Sequence, residues 1–145
     1  MRGIHPFALE VDNYFVNRDK TPVDENGNLD FEHIDAIDKE RLWSDLEKLI
    51  AGEPVRLPKY DFIEGKSKEG DLVDLDKGQI IIAEGIHGLN PALIEDIPAD
   101  KIFRIYISDL TQLNLDRHNR VSTTDTRLIR RIIRDARIRG YTCQE

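Results

Sequence analysis

Two short apolar runs that each end in an acid constrain the fold of this chain more than any other feature. The first, Phe7-Ala8-Leu9-Glu10-Val11, leads into Asp12-Asn13-Tyr14-Phe15, and the second, Gln79-Ile80-Ile81-Ile82-Ala83, leads into Glu84-Gly85. From Ile80 to Ala83 the second run is continuously apolar, residues 102–107 are a further, largely apolar run, and such runs belong to strands buried on both faces of a parallel sheet. Between the two acids, Leu42, Leu46, Leu49 and Ile50 recur at helical spacing within residues 35–51, with Asp35 or Asp38 to cap the start and Gly52 to stop it. Strands alternating with helices predict an α/β fold built on a doubly wound parallel sheet, whose ligands gather at the carboxyl ends of the strands.

The remaining segments fill in around that frame. Residues 17–30, with Pro22 and Asn26-Gly27, read as a loop. Residues 55–62 and 72–75 predict short strands around a polar turn at 64–71, a small antiparallel excursion, and Pro58 argues against a central strand there. Helices are expected over residues 110–119 and 124–140, the latter with Leu128, Ile129, Ile132, Ile133 and Ala136 on one face and Arg127, Arg130, Arg131 and Arg134 largely on another.

Composition narrows the function classes. At 145 residues, 39% hydrophobic and 34% charged, the chain fits one globular domain. Cys143 is its single cysteine, with no His at metal-ligand spacing, so neither a disulfide framework nor a zinc site is expected within the chain. No apolar run approaches the roughly 20 residues that cross a bilayer, and the start lacks the apolar core of a signal peptide, so a cytoplasmic protein with no membrane partner is expected. A net charge of −7 would repel a nucleic acid. The arginines nevertheless crowd together near the end, at Arg117, Arg120, Arg127, Arg130, Arg131, Arg134, Arg137 and Arg139, which makes a local anion site.

Asp12 and Glu84, at neighbouring strand ends, could act as a base and as the holder of a hydrated magnesium ion, although an acid at a strand end equally serves to cap the next turn. The arginine helix offers planar donor forks that match phosphate oxygens, or else a solvated face paired with Asp125 and Asp135. Glu64-Gly65-Lys66-Ser67 ends like a phosphate-binding loop, but Tyr60 occupies the position of its first glycine and a polar turn follows where a helix should.

The order of these motifs resembles the uridine kinase branch of the phosphoribulokinase and uridine kinase family. Asp12-Asn13-Tyr14-Phe15 is similar to its Asp-x-Phe/Tyr-Tyr/Phe segment, and residues 29–38 to its Asn-Phe-Asp-His-Pro-Asp-Ala-Phe-Asp segment. Leu57-Pro58-Lys59-Tyr60-Asp61-Phe62 resembles Pro-x-Tyr-Asp-Phe, residues 80–86 the strand ending in Glu-Gly-Ile, and residues 125–135 the lid helix. The resemblance implies a partial P-loop kinase fold carrying an Arg-rich lid, in which residues 1–145 are the central part of a single nucleoside kinase domain. It implies transfer of the ATP γ-phosphate to a nucleoside 5′-hydroxyl, with Asp12 as base and Glu84 holding Mg2+ through water. Arg127, Arg130, Arg131 and Arg134 would neutralise the phosphates, and Tyr14, Phe31, Glu32, Tyr60 and Phe62 would line the nucleoside site.

Three departures qualify the resemblance. The family's phosphate loop should lie just before Arg2-Gly3-Ile4 and its last elements beyond Glu145, so the isolated chain is expected to be inactive. Animal uridine-cytidine kinases place a base-reading His where this chain has Gly65, which leaves the base open. Residues 108–124 exceed the equivalent connection in those enzymes. A non-catalytic remnant that binds a nucleoside or a protein, and a kinase of another small alcohol such as a phosphorylated sugar or pantothenate, stay open as alternatives, as does homo-oligomerisation.

Overall fold

The computed structural model of the chain describes residues 5–76, 78–93, 95, 97–107 and 122–139. The chain divides into two compact units, Met1–Ile105 and Tyr106–Glu145, each described by itself.

In the first unit, β1 (Phe7–Glu10) lies parallel to β4 (Ile81–Glu84), in a register that sets Leu9 opposite Ala83 and Glu10 opposite Glu84. Parallel neighbours require a long crossover, and here it contains α1 (Lys39–Ala51) and an antiparallel ribbon of β2 (Val55–Asp61) and β3 (Lys66–Val73). Helix α1 begins where the Asp38 carboxylate accepts the Arg41 N–H at 3.0 Å, so Asp38 caps it while Asp35 sits in the preceding 3-10 turn. It ends at Gly52, whose φ of 79° is the left-handed conformation that glycine enters without a Cβ penalty. Leu42, Leu46 and Leu49 face inward, and Leu42 and Leu46 join Leu9, Val11, Tyr14, Phe15, Ala36, Ile37, Tyr60 and Leu93 in one core. Each buried Leu, Ile, Val or Phe among them contributes about 1.5–3 kcal/mol. The Trp43 indole N–H donates to the Leu93 carbonyl and ties the segment after β4 back to α1.

Several expectations need correction. Most of the stretch read as a polar turn, residues 64–71, is strand: β3 runs through it and the reversal occupies residues 62–65. Strand β3 has no buried residue and so needs no apolar alternation, and Lys68 reaches across the ribbon to Asp61 at 2.8 Å. Pro58 is accommodated next to a register shift between Arg56 and Pro58. The run ending in β4 is not buried on both faces, since Ile80 and Ile82 are exposed. Residues 102–107 form no strand, and Phe103, Ile105 and Ile107 are exposed. A strand needs a hydrogen-bonding neighbour, and among the described residues none pairs with this segment.

The second unit contains α2 (Thr123–Arg134), capped by the Ser122 hydroxyl accepting the Asp125 N–H at 2.9 Å and continued by a π-helical turn over Asp135–Arg139. The helix expected at residues 110–119 and the stop at Gly140 lie outside the described residues. Among the described residues, no helix is long and apolar enough to cross a membrane.

Candidate active site

Immediately after β1 the chain tightens into a 3-10 turn, Val11–Tyr14, in which Val11 and Tyr14 are buried. That leaves Asp12 and Asn13 at the partly open rim. Asn13 braces the rim on two sides: its amide donates to Glu10 Oε2 at 3.0 Å, and its Oδ1 accepts the Tyr60 N–H at 3.2 Å. Its role escaped the sequence reading, and only its place beside Asp12 hinted at it.

Gly85 lets β4 end against that turn. A Cβ there would lie 2.9 Å from the Val11 Cβ and 3.7 Å from Asp12 Oδ1, so a larger residue would force the two strand ends apart. The rim therefore gathers Glu10, Asp12 and Glu84. Partial burial and then the charges of Asp12 and Glu10 push the Glu84 carboxyl above its ordinary value. A cation relieves such repulsion. Among the described residues no group of three or more His, Cys, Asp or Glu side chains could hold a metal ion. Asp12 and Glu84 are the carboxylates at this rim whose oxygens suit a hard cation.

Beside the rim stands an aromatic cluster centred on Phe15, whose ring meets those of Phe31, Tyr60 and Phe62 edge-on at 5.6, 5.5 and 6.3 Å. Phe31, Tyr60 and Phe62, expected at the nucleoside site, do converge here, with Phe31 and Phe62 half-buried and Tyr60 buried. Glu32 is exposed, in a turn held by Asp30 Oδ1 accepting its N–H at 2.9 Å. Tyr14 faces the other way: it lies in the core and donates its hydroxyl to Asp45 Oδ2 at 3.1 Å. Burial pushes both the Tyr14 phenol and the Asp45 carboxyl upward. Tyr14 is thus a core residue of the 3-10 turn, tied to α1 through Asp45. Phe15, at the centre of the cluster, was not singled out from sequence.

Gly65-Lys66-Ser67 is no phosphate loop. Gly65, at φ 67°, belongs to the reversal, and Lys66 and Ser67 pair with Asp61 and Tyr60 in the ribbon. In the second unit, Arg127, Arg130, Arg131 and Arg134 all lie on α2, where Arg131 and Arg134 approach Asp135 at 3.7 and 2.9 Å. Asp135 is therefore one of the two partners foreseen for a solvated face.

Residues 10–145 match the Phosphoribulokinase / Uridine kinase family. The chain is 29% identical to a uridine kinase of Halobacterium salinarum over 91% of its own length and 51% of that protein. It is 30% identical to a uridine kinase of Oceanobacillus iheyensis over 93% of its length and 56% of that protein. With uridine kinase-like protein 5 of Arabidopsis thaliana it shares 34% identity over 94% of its length and 26% of that protein. The chain spans about half the length of the first two of these relatives. An acidic rim at parallel strand ends, the ordered motifs and a match over nearly all its residues make this chain a member of the phosphoribulokinase and uridine kinase family.

Proposed function

We propose that the chain is the central part of a nucleoside kinase domain, and that the longer protein transfers the γ-phosphate of ATP to the 5′-hydroxyl of a nucleoside. The observation that carries this reading is the approach of Asp12 to the end of β4 across Gly85, beside Glu84. In phosphoryl transfer the protein mainly positions the reactants and offsets charge. Asp12 accepts the hydroxyl proton of the acceptor, and Glu84 is the residue that would hold Mg2+. Bound Mg2+ supplies positive charge to the phosphate oxygens. Arg127, Arg130 and Arg131 of α2, with Arg134, donate forked hydrogen bonds to the phosphates. Phe31, Tyr60 and Phe62 form the apolar wall for the nucleoside, and Glu32 accepts from ribose hydroxyls. The sequence carries no complete Gly-x-x-x-x-Gly-Lys-Ser/Thr loop, so the activity is proposed for the longer protein.

ATP-dependent phosphorylation of a nucleoside panel by the complete reading frame tests this, with the 145-residue chain alongside. Asp12→Asn in the complete protein should lower kcat by about 10²–10⁴ while nucleoside affinity stays within about threefold, because the lost group acts in the transition state. Unchanged turnover would remove Asp12 from the base role. Phosphorylation of sugars or pantothenate but of no nucleoside would reassign the acceptor.

A further inference from the structure

Arg18 is pinned at both ends to the reversal between β2 and β3. Its backbone N–H donates to the Gly65 carbonyl at 2.8 Å, and its Nη2 donates to the Phe62 carbonyl at 2.7 Å. The neighbouring Asn17 Oδ1 accepts the Ser67 N–H at 2.9 Å, which fastens the same segment to β3. Over Gly65 the contact is so close that a Cβ would fall 2.5 Å from Arg18 Nε and 2.8 Å from its Cζ. The guanidinium therefore occupies the space that any side chain at position 65 would fill. It is half-buried, and among the described residues no carboxylate lies within ion-pair distance of it. A long cation on the surface ordinarily extends into water or finds an acid. This one is held against the carbonyl of Phe62, whose ring lies 5.1 Å from that of Tyr60 in the aromatic cluster.

We propose that Arg18 is the residue that selects the base of the nucleoside acceptor, favouring a pyrimidine with a carbonyl oxygen at its 4-position over one with an amino group there. The proposal rests on the nucleoside kinase reading given above. A guanidinium donates five N–H groups and accepts nothing. Its remaining donors, fixed beside the aromatic wall, can satisfy the O4 carbonyl of uracil, whereas the N4 amino group that cytosine carries at the same position would set donor against donor. Gly65 is the other half of the device, because only a residue without Cβ leaves the guanidinium its place.

The test uses the complete protein, measuring kcat/KM with ATP and calorimetric binding for uridine and cytidine. Uridine should be preferred by roughly 10- to 100-fold, the scale that one well-placed hydrogen-bonding group gives. Arg18→Gln, whose amide both donates and accepts, should bring the ratio close to one, mainly through loss of uridine. Gly65→Ala should do the same by displacing the guanidinium, and Arg18→Lys, which keeps stem and charge but loses the fork, should fall between. Equal use of the two nucleosides by the native protein, or a ratio unchanged in a folded variant, would overturn the role of Arg18 and leave the kinase reading standing. Failure of the native protein to bind or phosphorylate either nucleoside would overturn both.

Discussion

The two α-helices among the described residues begin alike and end differently. Helix α1 has 13 residues and α2 has 12, and each starts with a side-chain oxygen accepting an N–H three residues on, from Asp38 to Arg41 and from Ser122 to Asp125. Both carry apolar residues at helical spacing. Yet Leu42, Leu46 and Leu49 of α1 are 1%, 5% and 4% exposed, whereas Leu128, Ile129 and Ile133 of α2 are 55%, 55% and 50% exposed. The comparison separates two things that one sequence pattern suggests together. Helix formation depends on local capping and propensity, while stability comes from what the apolar face meets. In α1 that face anchors the first unit. In α2 the described residues leave the face open, and the arginines are the helix's chemically distinctive feature.

Leu42→Ala should destabilise the protein by about 2–5 kcal/mol, the usual cost of a cavity at a fully buried leucine, measured by denaturant unfolding. A loss below about 1 kcal/mol would break the contrast from the α1 side. Arg127→Ala and Arg130→Ala in the complete protein should each lower kcat/KM by about 10²-fold while the melting temperature stays constant. Loss of folding instead would show that α2 is structural after all.

Asp45 supplies a smaller effect. Burial raises its folded carboxyl above the ordinary 3.8, so the folded state binds its proton more tightly than the unfolded chain does. Its contribution is therefore most favourable at low pH and declines as pH rises from that ordinary value through the raised one. Asp45→Asn, which can still accept from Tyr14, should flatten the decline when unfolding is followed across that window, and an unchanged slope would refute the assignment. The smallest change is expected for Leu128→Ala, within about 0.5 kcal/mol, as for other exposed positions. A loss matching that of Leu42→Ala would mean that the α2 face is covered in the complete protein.

Much of the first unit was legible in advance. Phe7 to Glu10, the helix around Leu42 and Leu46, the closing Gly52, and the acids Asp12 and Glu84 all announce themselves through short-range pattern. Strand β3 did not, because a strand that buries none of its residues carries no alternation and Lys66 to Asp71 read as a turn. Residues 102–107 misled in the opposite sense, since their apolar content described a strand that no neighbour within the described residues completes. Phe31, Tyr60 and Phe62, named through the resemblance, meet in one cluster, but Phe15 at its centre, the brace of Asn13 and the contact of Arg18 with Gly65 were not foreseen. Their partners lie far along the chain, and no spacing rule connects Arg18 with Gly65.

What the sequence by itself determined is therefore local: where α1 and α2 start, which strands end in acids, and to which family the ordered motifs belong. Only the tertiary structure decided that Tyr14 turns into the core toward Asp45, that Asp12 reaches the end of β4 over a bare Gly85, and that Arg18 fills the space above Gly65. The physical reason is that capping and amphipathic spacing act between residues a few positions apart, whereas a close approach depends on which atoms two distant segments bring to the same place.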